Sequence, residues 1–309
     1  MIKLPIPSAK VVQATRLCIS NLKNDELVKR MVAVEHHLSA EEHRYQALGK
    51  TSQLFSIPES KIVADAVTCD EMKWIYKNKF SKNDQPCRDI YDKLRGAAKI
   101  CPLCNARVVG TLDHYLPQSL YADYVLTPFN LVPACEACNK IKLSKVSHSF
   151  ATQTFHPYFD ILPIDKPWLY AEIIEDEDLS AIFYVDPPGH WDAGLRSRVE
   201  KHFNIFGLND VYIAKASAEL SQIASFSRDE YLLHGSVGLK AYLERQADSR
   251  GKGDPHCWSY ALYRALGASN WFVDGGAVRW ANKLESLVTL NPTFPPPTAP
   301  PTDASPSSH

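Results

Sequence analysis

The chain has 309 residues, 45% of them hydrophobic and 22% charged, the make-up of a folded globular protein with one sizeable core or two small ones. Its apolar runs are broken by charges within a few residues, and its start, MIKLPIPSAK, lacks the apolar stretch of a secretory signal, so a cytoplasmic protein without membrane association is expected. The net charge of −1 excludes a uniformly basic nucleic-acid binder, yet Lys77 to Lys145 holds eleven Lys or Arg against six Asp or Glu, making that segment +5 and the remainder −6. A local basic face is what phosphate binding needs, although an ordinary solvated surface explains it equally well.

Residues 1–98 read as a helical region. Asn24-Asp25-Glu26 can start a helix through Leu27, Val28, Met31, Val34 and Leu38, apolar positions at helical spacing. A second helix is expected from Asp70 to Phe80, and a third from Cys87 to Leu94 with Gly96 as its stop. Residues 99–146 form a short, turn-rich module, too small for an apolar core of its own. In residues 147–290, Trp168 to Ile174 and Leu179 to Val185 read as a β-hairpin across the acidic turn Glu175 to Asp178. Helical patterns follow at Trp191–Phe206, Val211–Phe226, Tyr231–Arg245, His256–Leu266 and Gly276–Leu290. Residues 291–309 are rich in Pro, Thr, Ser and Ala and are expected to be disordered.

The chemistry concentrates in the module. Cys101/Cys104 and Cys135/Cys138 are two CxxC pairs, and thirty residues separate Cys104 from Cys135. Two residues between thiolates let both reach one ion from a tight turn. Two such turns complete a tetrahedral four-sulfur site, saturated and therefore a structural zinc site. The other four cysteines read as buried free thiols. Inside the clamped loop, Val108-Val109 and Thr111-Leu112 suggest a strand delivering Asp113-His114, which Pro117 ends. A neutral histidine can take a proton from water, and a carboxylate can hold a divalent cation; an isolated Asp-His is equally a hydrogen-bonded structural pair. Directly after Cys138, Asn139 offers an oxygen ligand or caps a helix, while Lys140, Lys142 and Lys145, with Arg107, offer charge to phosphates. Asn130 lies on the return segment, where its amide can tie the loop together. Tyr115 and Tyr121 read as loop aromatics that cover the zinc site.

The order CxxC, Asp113-His114-x-x-Pro117, Asn130, CxxC-Asn139-x-x-Lys142 resembles the HNH endonuclease family with its zinc-bearing ββα-metal fold. The resemblance spans about residues 99–146. It implies His114 as general base, Asp113 and Asn139 as ligands of one catalytic Mg²⁺ or Mn²⁺, Asn130 at the family's middle position, and the four cysteines as zinc ligands. The implied architecture is α+β: mainly helical, with a central ββα-metal module and a C-terminal β-hairpin plus helices. The implied reaction is hydrolysis of nucleic-acid phosphodiesters, DNA more than RNA. The long helical flanks around one compact module also resemble the HNH components of antiphage systems such as Septu, which act with a separate ATPase; this chain has no GxxxxGK[ST] loop of its own. The rival readings are a zinc-bearing nucleic-acid binder without catalysis, and an RNA-directed nuclease or toxin.

Overall fold

A computed structural model describes residues 2–142, 146–176 and 178–290. Lys145, one of the anticipated phosphate-binding lysines, and the 291–309 tail lie outside the described residues. About 57% of the described residues are helical, and the described strands pair into three small two-stranded antiparallel sheets. The mixed, mainly helical α+β class therefore holds.

Three helices open the chain: α1 (Val11–Ile19), α2 (Asp25–Ala33) and α3 (Glu35–Lys50). Asn24 caps α2 as its residue type suggests, its side chain accepting the Leu27 N–H. Residues 1–98 are not helical throughout. A short hairpin of β1 (Ile62–Val63) and β2 (Val67–Thr68) interrupts them. Its turn places Ala64 and Asp65 in the left-handed region, which suits the twist of a tight hairpin. Thr68 and Glu71 then form a reciprocal capping box for α4 (Cys69–Ile75). A wider helical turn carries that helix on to Phe80, and α5 (Arg88–Gly96) follows.

The central module is β3 (Thr111–His114), an excursion, β4 (Leu131–Ala134) and α6 (Glu136–Lys142). In the hairpin Asp113 faces Val132 and His114 faces Leu131. After it come the hairpin of β5 (Leu169–Ile174) and β6 (Ser180–Val185), then α7 (Ala193–Ile205), α8 (Leu208–Gly251), α9 (Trp258–Ala268) and α10 (Ala277–Leu290). The two helices anticipated over Val211–Arg245 are divided not near Phe226 but at Gly235, whose φ of 67° and ψ of −170° break α8. Polar Ser227 and Arg228 lie within the helix because they face a neighbour: Ser227 is buried, and Arg228 pairs with Glu285 of α10.

The module is not a separate insert. Its residues divide among three apolar clusters. Leu112 and Leu131 join the N-terminal helices. Val132, Tyr115 and Leu116 join a middle cluster with Tyr45 of α3 and Tyr158. Ala134 and all four cysteines join the C-terminal hairpin and helices. A hairpin wedged between cores in this way has its strand ends fixed from both sides, because close-packed interiors transmit little slack.

Candidate active site and metal centre

The first cysteine pair sits on a tight loop. Asn105 adopts a left-handed φ of 51°, its N–H donates to the Cys101 carbonyl, and the Cys101 N–H donates back to the Arg107 carbonyl, both at 2.8 Å. The second pair opens α6, where the Cys138 N–H points at the Cys135 sulfur (3.4 Å). All four side chains are buried, and their Sγ atoms lie within 4.8 Å of one another. A tetrahedron with metal–sulfur bonds of ~2.3 Å has edges of about 3.8 Å, so the cluster has the chemistry and the size to hold a metal ion such as zinc. His202 of α7 braces this loop from outside the module. Its Nε2 donates to the Leu103 carbonyl at 2.7 Å and its Nδ1 accepts the Phe155 N–H at 3.4 Å.

Asp113 and His114 end β3 in the interior. Carbonyls only accept, so the His114 Nε2, 3.0 Å from the Val125 carbonyl oxygen, carries the proton. The lone pair is thereby left on Nδ1. The Tyr76 ring stands edge-on to this imidazole at a centroid distance of 4.5 Å. Burial is the main reason that the His114 pKa is lowered to about 4, assisted by the nearby Lys142 charge. The ring is thus neutral at pH 7.

Lys142 differs from the expectation of a phosphate-facing lysine. Its ammonium lies 3.1 Å from Asp113 Oδ2, with both side chains 5% exposed, and it rests over the Tyr115 ring at 4.0 Å. Burial pushes the carboxyl up and the ammonium down, while each partner's charge opposes that shift in the other. Asn139 lies one helical turn before Lys142 and so shares its face of α6. Its N–H bonds the Cys135 carbonyl (3.1 Å), which places it inside the helix rather than at a cap. Lys140 is exposed, and Arg107 is partly buried beside the cysteine loop.

Asn130 is fully buried, and its amide is saturated. Its Oδ1 accepts the Leu116 N–H (2.6 Å) and the Tyr45 hydroxyl (3.0 Å); its Nδ2 donates to the carbonyls of Leu116 and Tyr124, both at 3.0 Å. It ties the two ends of the excursion together, and no polar atom of its amide is left over for another partner. Tyr115 and Tyr121 do not cover the cysteines; both belong to the middle apolar cluster, and the Tyr115 hydroxyl donates to the Thr154 carbonyl (2.6 Å).

A cleft of about 420 Å³ opens next to the Asp113–Lys142 pair, bounded by Tyr115, Lys142, the 146–154 segment, Phe55 and Lys201 of α7. Sequence reasoning missed Tyr45, Tyr76, Lys201 and His202, each brought to the module by a distant helix. Of these, only Tyr45 gave a usable signal, an aromatic at a regular interval behind Leu38 on an otherwise polar helix.

Over 236 residues the chain is 26% identical to Protein ea31 of Escherichia phage lambda, an alignment covering 72% of this chain and 79% of that one. No family model and no solved structure matches. Among the described residues, no helix is long and apolar enough to cross a membrane.

Proposed function

We propose that this protein is a metal-dependent endonuclease of the HNH type, hydrolysing nucleic-acid phosphodiesters with His114 as general base. One observation supports the reading: in the β3–β4–α6 unit the two cysteine pairs meet, and Lys142, one turn after Asn139 on α6, reaches Asp113 next to His114 on β3. In this reading zinc holds the four thiolates and has no open position for chemistry. Asp113 and Asn139 are the oxygen donors for one hard divalent cation, Mg²⁺ or Mn²⁺. When bound, that ion supplies charge neutralisation at the phosphate undergoing attack.

The remaining steps belong to the chain. The Val125 carbonyl fixes the His114 tautomer, so Nδ1 is the nitrogen that accepts a proton from the attacking water. Asn130 holds the loop that keeps this carbonyl in place. Lys142 neutralises Asp113 in the resting protein and must release it for the cation to enter; once released, its ammonium is a phosphate ligand. The resemblance to antiphage HNH components extends the proposal to work beside a separate ATPase. Copurification with that partner tests the extension.

The burial of Asp113 and His114 favours a second reading. A carboxylate held by lysine and an imidazole whose pKa is lowered to about 4 also suit a zinc-stapled binding module without catalysis. The deciding experiment incubates the purified protein with plasmid, single-stranded DNA and RNA, each with Mg²⁺, Mn²⁺ or EDTA, beside His114→Ala. The nuclease reading requires metal-dependent cleavage that His114→Ala reduces by roughly a hundredfold or more at unchanged zinc content. Equal cleavage by the variant removes the base assignment; absence of cleavage with intact binding selects the second reading. Preference for plasmid or RNA separates a DNA nuclease from an RNA-directed one.

A further inference from the structure

The cleft beside Asp113 has a composition that the HNH-like module does not explain. Lys142, paired with Asp113, is a buried charge in its lining. Lys201, from α7, and His148 are exposed side chains on its walls, and no carboxylate is among its described lining residues. The wall that carries His148 is held closed by the Ser147 hydroxyl, which donates to the Thr152 carbonyl at 2.9 Å. Phe55 contributes a partly exposed aromatic side chain to the same lining. Lys201 has no acid beside it among the described lining residues and draws a phosphate, which would share the Lys142 ammonium with Asp113; an aromatic in the same lining gives a base a surface to stack on.

We propose that this cleft receives one unpaired nucleotide of the substrate strand, with its phosphate at Lys142 and Lys201 and its base against Phe55. The volume limits the occupant. About 420 Å³ is the scale of a small-molecule pocket, enough for one nucleotide and far too little for a paired duplex. A base that enters such a pocket must therefore come from a single strand or leave its stack. The phosphate would then lie next to the carboxylate that Lys142 occupies. The inference deepens the nuclease reading and relies on it for the polymer, but it concerns binding and can fail independently of cleavage.

The test is fluorescence anisotropy with labelled 12-nucleotide single strands of DNA and RNA and the matching DNA duplex. The full-length protein is used without added Mg²⁺, and the probes are checked intact by gel. At least one single strand should bind at least tenfold more tightly than the duplex. Lys201→Glu and Phe55→Ala should each weaken it roughly tenfold. Lys240→Glu, whose exposed lysine lines a different cavity, should change affinity less than twofold. Equal affinity for duplex and single strands overturns the proposal. So does wild-type affinity in both cleft variants, or an equal loss in Lys240→Glu, which would mark bulk charge as the cause. Loss of binding in the cleft variants without any cleavage by the wild type would retain the pocket and reject the nuclease. Cleavage that needs His114, with binding indifferent to Lys201 and Phe55, would do the reverse.

Discussion

The ammonium of Lys142 sits 3.1 Å from the Asp113 carboxylate in a setting that leaves each side chain only 5% exposed. Removing one member of such a pair strands the other charge in the interior, at a cost of about 3–5 kcal/mol. Lys142→Met should therefore lower the urea midpoint of the protein. If Asp113 is a ligand for a divalent cation, the freed carboxylate makes the variant more responsive to metal than the wild type. Millimolar Mg²⁺ should raise the melting temperature of Lys142→Met by several degrees more than that of the parent. Equal Mg²⁺ responses would separate the ion pair from metal binding.

The four clustered cysteines belong to the same apolar cluster as the C-terminal hairpin and helices, so the metal site and that core should fail together. Cys135→Ser should reduce bound zinc from one per chain to nearly none by elemental analysis. A structural ion held by four thiolates contributes several kcal/mol, and each kcal/mol is worth roughly 2–4 °C in a domain of this size, so if the cluster holds zinc the melting temperature should fall by more than about 10 °C. A variant that keeps its melting temperature after losing zinc would show the core to be self-sufficient.

The local features were readable along the chain because they depend on short spacings: the CxxC pairs, the Asn24 cap, the acidic hairpin turn and the strand leading to His114. What could not be read was set by contacts between distant segments. Lys142 looks like any helix lysine until Asp113, 29 positions earlier, is found against it. The helix α1 carries no side-chain cap of its own; buried Glu42 of α3 accepts the Val11 N–H at 2.8 Å instead. The Arg198–Asp160 pair, 2.7 Å apart and buried, likewise joins segments that nothing in the sequence links. The CxxC spacings therefore anticipated the four-cysteine cluster, while the division of its surroundings among three apolar clusters appears only when the chain is folded.

Asn130 and Tyr45 should be coupled. Asn130→Ala leaves the Leu116 N–H and carbonyl, the Tyr124 carbonyl and the Tyr45 hydroxyl without their partner, at a cost of roughly 2–4 kcal/mol. Tyr45→Phe removes a single bond from Asn130 and should cost about 1 kcal/mol. In the double variant the loss should be less than the two single losses combined, since the shared bond is counted in both. Strict additivity in urea denaturation would mean that Tyr45 supports the fold through His156, 3.1 Å from its hydroxyl, rather than through Asn130.

Acid should destabilise this protein through histidines that are buried without charge. The His202 pKa is lowered to about 3, chiefly by burial, with Arg198 and Lys142 among the charges adding to the shift, whereas an unfolded histidine titrates near 6.5. The stabilising difference is complete above pH 6.5. Below that, the unfolded chain takes up a proton that the folded chain refuses, so stability falls as the pH drops toward 3. Each pH unit across the window removes about 1.4 kcal/mol per such group. His202→Gln cannot take up that proton in either state, so its own stability should fall less between pH 7 and pH 5, by about 2 kcal/mol. Denaturant midpoints at the two pH values check this. An equal acid loss in wild type and variant would assign the sensitivity to His114 and His156, which burial also shifts downward, and free the cysteine loop from dependence on the α7 imidazole.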